Sequence, residues 1–341
     1  MGPQLKKNLF TLLKLSFASS IIFYMISTGK LDLNHIYALS KNKLIFLELV
    51  ITLLLGYALV AYRLYLLLTW QGISISLWSV VRINCIGLFF NSFMPGSVGG
   101  DIVRAYYIAK EKKEFRTKAI VTIFIDRFIG LEGLMFVGFA ALLFNYDTIL
   151  SNPHLKALAL TISIYILISI LAVTAFISKR VKHFFITHGL NKLFDKLPQK
   201  ELLSKIYGAF HVYSDKKINL LKIIAITLPL DLLIIYIFYL LGRELGDQSM
   251  TFGSYLTAVP VGLLLMAIPL TPAGIGVGQG VFYTLFLWFG ATSGKIGASV
   301  ITAYQILTIC VNLCFALFYI SNKKEINQTL LDAHGQSPLN N

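Results

Sequence analysis

Apolar runs long enough to cross a lipid bilayer follow one another along almost the whole chain. A spanning helix needs about 20 mainly apolar residues, because every backbone N–H and C=O group must be paired within the segment where no water is present. Of 341 residues, 56% are hydrophobic and only 13% are charged, which leaves too little polar surface for a water-soluble fold. The pattern predicts an all-α, polytopic membrane helix bundle over 1–320 and a short cytoplasmic tail at 321–341. The apolar runs are 9–27, 44–62, 78–95, 119–144, 157–177, 223–241, 254–291 and 297–320.

The basic residues are distributed unevenly between the two ends of the predicted spans. With the amino terminus inside, the inner segments hold 23 of the 30 Lys and Arg residues, the outer segments hold six, and Arg127 lies within a span. Cytoplasmic segments retain Lys and Arg, so this bias predicts a multi-pass protein of the cytoplasmic (inner) membrane with both termini inside. The net charge of +14 is then explained by topology, and nucleic acid is not expected as a partner.

The longest inner segment, 178–221, mixes basic residues with apolar ones. This composition predicts amphipathic helices lying on the inner leaflet, and a plain cytoplasmic connection remains the alternative. Three histidines of this segment lack the spacing of a metal-binding motif, so no metal site is expected; they are His183, His188 and His211.

Proline and glycine interrupt two of the apolar runs. In the first, the break at 91–101 leaves only 102–109 before Lys110, and eight helical residues rise about 12 Å, too little to cross. A re-entrant hairpin is therefore predicted there. The second break, at 269–280, allows either two short full spans or another hairpin. Paired interrupted segments are typical of transporters built on inverted repeats, so an inverted repeat is a further interpretation.

The first break has the chemistry of an anion site. Gly99 and Gly100 lead into a helix, whose first N–H groups and dipole attract a phosphate or carboxylate. Arg104, one turn into that helix, can bind an oxyanion through two parallel hydrogen bonds. Asp101 complicates this interpretation, because its carboxylate either caps the helix or pairs with Arg104 until a lipid phosphate displaces it. Anion binding and pure capping both remain open.

The second break repeats the design without charge. Gly274 and Gly276 permit a tight backbone, and Gln279 is the side chain nearby that can make several hydrogen bonds. No strand precedes these glycines, so they are not a nucleotide-binding fingerprint. Since no phosphate-binding loop is present either, we expect no cofactor and no coupling to ATP hydrolysis.

The run at 119–144 carries Asp126, Arg127 and Glu132 near the middle of the bilayer. Charges at this depth cost several kcal/mol on insertion scales unless each finds a partner or water. At about 100° per residue the three side chains point in different directions, which predicts a central helix packed against the broken segments. A buried ion pair that only fixes packing is the alternative to a role in transport. The candidate partners of Arg127 are Asp126, Glu132, Asp101 and Asp231.

At these residues the chain resembles the flippase-like transmembrane region of lysylphosphatidylglycerol synthetases, which also occurs as stand-alone membrane proteins. The resemblance implies a multi-span bundle that moves or accommodates lipids in the cytoplasmic membrane of a prokaryote. Members commonly have Glu where this chain has Gln279, which counts against a proton or cation role for that residue. No aminoacyl-transferase domain follows 320, so lysyl transfer is not expected. The matching positions are Asn91, Pro95, Gly99, Gly100, Asp101 and Arg104, Asp126 and Arg127 with Gly130, and Pro272, Gly274, Gly276 and the polar residue that follows.

The leading hypothesis is a lipid flippase or scramblase, not an enzyme, that moves a phospholipid or a polyprenyl-phosphate lipid between leaflets. Arg104 and Arg127 would balance the lipid phosphate, and Asp126 or Glu132 any cationic part of an anionic or zwitterionic headgroup. A membrane-embedded glycosyl or headgroup transferase and a lipid-binding structural subunit are the alternatives. A second copy of the chain and a synthetase or transferase stay open as protein partners. The candidate headgroup-binding residues are Asn91, Gly99, Gly100, Asp101, Arg104, Asp126, Arg127, Glu132, Gly274, Gly276 and Gln279.

Overall fold

The computed structural model describes residues 42–92, 99–111, 113–177, 217–268, 271 and 274–320. Every regular element in these ranges is helical and none is a strand, which confirms the all-α class. The predicted first span at 9–27 and the tail at 321–341 lie outside the described residues. Most of the predicted inner segment 178–221, as far as 216, also lies outside them. The last residues of that segment, 217–221, belong to a helix that begins at Lys217.

Five helical segments in the described ranges are long and apolar enough to cross a membrane, which confirms a multi-pass protein. They carry many exposed large hydrophobic side chains, among them Leu44, Phe124 and Leu160, as expected where lipid is the solvent. The candidate spans are Lys43–Trp70, Arg116–Ser151, Pro153–Ala172, Lys222–Glu244 and Gly294–Ile320. The helices are α1 Lys43–Trp70, α2 Leu77–Asn91, α3 Gly99–Glu111, α4 Arg116–Ala141, α5 Tyr146–Ser151, α6 Pro153–Ile177, α7 Lys217–Glu244, α8 Phe252–Ala267, α9 Val277–Trp288 and α10 Gly294–Cys314, with 3₁₀ turns at Lys113–Phe115 and Leu142–Asn145.

Four helices next to the Pro/Gly segments are short. Helices α2 and α3 have 15 and 13 residues, and α8 and α9 have 16 and 12. At 1.5 Å per residue each of them is shorter than about 25 Å, less than the hydrocarbon thickness of about 30 Å. The lengths agree with interrupted segments, while the two re-entrant hairpins and the inverted repeat stay predictions.

Local sequence signals account for several helix ends. The side chains of Ser76, Thr251 and Ser293 each accept a hydrogen bond from a backbone N–H of the first turn of α2, α8 and α10. Gly246 and Gly290 have φ values of +92° and +86° just after α7 and α9, where a residue with a β-carbon would be strained. The chain can therefore reverse direction at these points without a long loop.

Helix α4 lies at the centre of the described bundle, in contact with α1, α3, α6, α7 and α8. At one end of the bundle a cluster of buried aromatic rings joins α7, α8 and α9, with Phe238 stacked on Phe282 at a centroid distance of 5.1 Å and Tyr255 against Phe286 at 5.4 Å. The polar groups described below are held within this apolar framework.

Helices α2 and α3 pack against each other through two glycines. A β-carbon placed on Gly100 would meet the backbone carbonyl oxygen of Gly87, and one on Gly87 would lie 2.6 Å from Nε of Arg104. The Oδ1 atom of Asn91, at the end of α2, accepts a hydrogen bond of 2.7 Å from the backbone N–H of Gly100. The two short helices thus form one unit in which backbone touches backbone.

We predict that Gly100→Ala lowers the free energy of unfolding by about 1–3 kcal/mol, because the new methyl group collides with a backbone atom that cannot move aside. Gly56→Ala is the matched control, since a β-carbon at Gly56 in α1 would have no atom of the described residues within 4 Å. This control should be neutral or slightly stabilising, because alanine is the better helix former. Thermal unfolding in detergent measures both, and equal melting temperatures for the two variants would contradict the close α2–α3 contact.

Candidate functional site

Asp126 on α4 forms a buried ion pair with Arg63 on α1. Nε of Arg63 donates to Oδ1 of Asp126 at 2.7 Å, and Nη2 donates to the backbone oxygen of Asp126 at 3.1 Å. Nη1 donates to the hydroxyl oxygen of Thr227 on α7 at 3.2 Å. Only 3% of Arg63 and 5% of Asp126 is exposed. One guanidinium therefore joins three helices with charge-assisted hydrogen bonds.

Two glycines of α4 make room for this cluster. A β-carbon on Gly130 would lie 3.1 Å from Nη2 of Arg63, and one on Gly133 would meet the carboxylate of Asp231 and the methyl group of Thr227, both on α7. Gly130 and Gly133 follow Asp126 by four and seven residues, so all three lie on one face of α4. This face receives polar side chains from α1 and α7.

Asp231 is completely buried on α7, one turn after Thr227. Neither of its carboxylate oxygens has a hydrogen-bond partner among the described residues. Arg63 lies close enough for its charge to act on Asp231. Asp231 was one of the four candidate partners of Arg127, and the structure does not join the two.

Arg127 points to the first broken segment, where it pairs with Asp101. Its Nη1 donates to Oδ2 of Asp101 at 2.7 Å, and Nη1 of Arg104 donates to Oδ1 of the same carboxylate at 2.9 Å. Asp101 and Arg104 are each 7% exposed, and Nε of Arg104 is buried with no partner in the described ranges. The Arg127 side chain is 30% exposed. Two arginines from different helices thus share one carboxylate, and this Arg104–Asp101–Arg127 cluster carries a net charge of +1.

The start of α3 is therefore already occupied. Asn91 accepts from the N–H of Gly100, and Asp101 places a carboxylate in the first turn, next to the glycine pair Gly99 and Gly100. Of the interpretations left open by the sequence, the structure has Asp101 as the partner of Arg104. An incoming anion would have to displace that carboxylate to reach both arginines.

Glu132 projects from a different side of α4 than Arg127 and contacts α6. Its two carboxylate oxygens accept hydrogen bonds from the hydroxyl groups of Tyr165 at 2.6 Å and Ser169 at 2.7 Å. Asp126, Arg127 and Glu132 thus reach α1, α3 and α6 respectively. The structure does not bring Glu132 together with either arginine of the cluster.

Gln279, in the second broken segment, forms hydrogen bonds within the protein through both the oxygen and the nitrogen of its side-chain amide. Gly274 and Gly276 have φ values of +69° and +86°, which only glycine adopts readily. Oε1 of Gln279 accepts from the N–H of Gly276 at 2.7 Å, while Nε2 donates to Thr302 at 3.0 Å and to Gln305 at 2.8 Å. Only 1% of Gln279 is exposed, so it holds the start of α9 against α10.

The sequence did not identify Arg63 as part of the site. The predicted topology assigned Arg63 and Arg104 to the inner basic segments, but the structure has both buried in ion pairs. The remaining 21 inner basic residues still outnumber the six outer ones. The missed signal was the apolar stretch at 64–68, which extends α1 to Trp70 and so places Arg63 within the span rather than at its end.

We predict that Arg63→Gln lowers the free energy of unfolding by about 3–5 kcal/mol, because it leaves the buried carboxyl of Asp126 without its counterion. The double variant Arg63→Gln/Asp126→Asn should recover more than half of this loss, since neither charge then remains. Denaturant titration of the purified protein in detergent measures both values. A double variant as unstable as the single one would show that the pair is not coupled.

Comparisons with known proteins place this chain in a family. Comparison with curated proteins found no match. The family model described as lysylphosphatidylglycerol synthase TM region matches residues 11–316, which includes both broken segments and every described helix of the site. These proteins are membrane-domain proteins associated with lipids, in agreement with the five candidate spans. The chain therefore belongs to the lysylphosphatidylglycerol synthase TM region family, as the resemblance in its motifs indicated.

Proposed function

We propose that this protein moves a phosphate-bearing membrane lipid between the two leaflets of the cytoplasmic membrane, as a flippase or scramblase with both termini inside. The observation that carries the proposal is the Arg104–Asp101–Arg127 cluster at the first broken segment. Membership of a lipid-associated membrane family supports a lipid as the ligand. The lipid would be a phospholipid or a polyprenyl-phosphate lipid, since the two share a phosphate group.

The chemistry of the cluster favours an anionic headgroup. A carboxylate already accepts one hydrogen bond from each arginine, and phosphate oxygens accept from guanidinium groups in the same way. The net charge of +1 attracts an anion, and the partly exposed Arg127 offers the first contact. If Arg127 passes from Asp101 to the lipid phosphate while Arg104 keeps its pair with Asp101, each of the four charges retains a partner, which avoids the cost of an uncompensated charge within the membrane.

The other charged candidates are better suited to holding the bundle than to binding a headgroup. Asp126 is paired with Arg63, and Glu132 accepts hydrogen bonds from two hydroxyl groups of α6. We assign them to the position of α4 rather than to the cationic part of a lipid. We likewise assign Gln279 to the contact between α9 and α10.

We infer transport rather than group transfer. Asp101 is paired with both arginines of the cluster, and Glu132, outside it, accepts hydrogen bonds from two hydroxyl groups. Carboxylates held in this way are suited to exchange with another oxyanion, a process that makes or breaks no covalent bond. The transferase and the structural-subunit alternatives remain as outcomes of the test below.

We predict that Arg127→Gln slows headgroup-resolved lipid translocation about 10- to 100-fold, because one charge-assisted hydrogen bond to phosphate, about 1.5–3 kcal/mol, is lost. The measurement uses purified protein in liposomes with labelled lipids of different headgroups. Lys295→Ala is the control, since it removes one exposed positive charge that lies on α10, far in the sequence from the cluster. Equal rates for wild type and empty liposomes with every headgroup would contradict the proposal. A new lipid product without translocation would instead support a transferase.

A second prediction concerns Asp101, which competes with the lipid for both arginines. Asp101→Asn removes this competing charge, so a lipid with an anionic headgroup should bind several-fold more tightly while Arg127→Gln binds it more weakly. Equilibrium binding of a fluorescent anionic phospholipid to the purified protein distinguishes the two directions. Weaker binding in both variants would show that Asp101 orients the site instead of occupying it. A purely structural subunit would tolerate both changes.

A further inference from the structure

Asp231 is the exception among the buried carboxyl groups. Four aspartates are buried in the described ranges. Asp101 is held by two arginines, Asp126 by Arg63, and Asp247 by a tyrosine hydroxyl, a serine hydroxyl and two backbone N–H groups. Asp231, at 0% exposure, has no donor on either oxygen within the part of the chain that the structure describes.

A carboxylate in this position would be costly. Removing an ion from water costs several kcal/mol unless hydrogen bonds and an opposite charge replace the water, and here no donor does so. A protonated carboxyl group avoids this cost because it carries no charge. Packing against the bare backbone of Gly133 also leaves no room for water on that side. The surroundings of Asp231 therefore favour the form that holds a proton.

The charged groups around Asp231 balance without it. From α1 it is faced by Arg63, whose charge is balanced by its ion pair with Asp126 of α4. On α4, Arg127 and Glu132 are engaged by α3 and α6. With Asp231 protonated, Arg63, Asp126 and Asp231 together carry no net charge.

The other described neighbours of α7 present no charge to Asp231. Helices α8 and α10 contribute the tyrosines Tyr255 and Tyr304, which contact Gly242 and Phe238, two to three turns further along α7. Glu48 on α1 accepts from the exposed Tyr236 on another face of α7. Arg63 is therefore the cation available to Asp231 among the described residues.

We propose that Asp231 is a proton-binding site within the membrane domain, and that its proton and Arg63 exchange places. In the structure Arg63 is paired with Asp126. If Arg63 turns to Asp231, the carboxyl group of Asp231 releases its proton as an ion pair forms, and Asp126 takes up a proton as its own pair breaks. One proton is bound before and after, and neither carboxylate is left charged without a partner.

This exchange would connect proton binding with movement of the helices. Arg63 joins α1, α4 and α7, so a change of its carboxylate partner changes which helices it holds together. We expect the proton to serve as the coupling ion for lipid movement. That use rests on the proposed function, whereas proton binding by Asp231 does not.

Infrared spectroscopy tests proton binding directly. We expect the purified wild-type protein in liposomes at neutral pH to show the carbonyl stretch of a protonated carboxyl group, shifted in D₂O and absent in Asp231→Asn. The Asp231→Asn variant should fold, because the amide replaces a neutral acid of the same shape. Glu132→Gln is the matched control, and it should keep the band. A band that persists in Asp231→Asn and disappears in Glu132→Gln would overturn the proposal, and so would no band at all.

Two further variants test the exchange with Arg63. In Asp126→Asn, Arg63 is free to pair with Asp231, so the protonated band should vanish at neutral pH although Asp231 is intact. In Arg63→Gln, both aspartates lack a cation, so a second protonated carboxyl group should appear. A merely structural role of Asp231 predicts neither change, and unchanged spectra in both variants would show that the proton and Arg63 are independent.

Coupling is measured separately, as the ratio of lipid translocation rates with and without an imposed pH gradient. In liposomes of phosphatidylethanolamine and phosphatidylglycerol, we expect a ratio well above one for wild type and close to one for Asp231→Asn. A ratio above one in both proteins would overturn coupling through Asp231 while leaving the proposed function intact. Proton binding without any lipid movement would overturn the proposed function and leave the proton site.

Discussion

The cost of a charge in hydrocarbon determines the position of α4. A central helix with two acids and one arginine is stable in a membrane only if each side chain meets a partner on a neighbouring helix. Asp126 meets Arg63 on α1, Arg127 meets Asp101 on α3, and Glu132 meets two hydroxyl groups on α6. These three contacts point in different directions around α4, so they fix its rotation as well as its neighbours. The glycines at 130 and 133 complete the arrangement, because larger side chains would push α1 and α7 away.

Much of this architecture could be predicted from the sequence. The long apolar runs identify the five described spans, and the breaks after Asn91 and before Gly274 coincide with short helices. The central place of the helix with three ionisable residues also follows from their spacing alone. What the sequence could not supply was the choice of partners. Four residues were candidate partners of Arg127, and only the packing of α3 against α4 selects Asp101.

The sequence was least informative for Arg63 and Asp231. A basic residue at the predicted end of a span looks like a topology signal, and Arg63 was placed outside the membrane for this reason. A lone acid in an apolar helix reveals nothing about its donors until the neighbouring helices are known. The two broken segments also differ in a way that glycine and proline do not indicate. The first holds charged groups that pair with one another, whereas the second is satisfied by amides and hydroxyl groups within the protein.

The Arg104–Asp101–Arg127 cluster has an electrical consequence. Moving one elementary charge across a membrane changes its energy by about 2.3 kcal/mol for every 100 mV of potential. Two arginines with one carboxylate carry a single positive charge, and a lipid phosphate with one negative charge neutralises it. The loaded cluster would therefore feel almost no force from the membrane potential, while the empty one would. If the cluster carries a lipid phosphate as proposed, it would do so without net charge, and the membrane potential would act on the cluster only when it is empty.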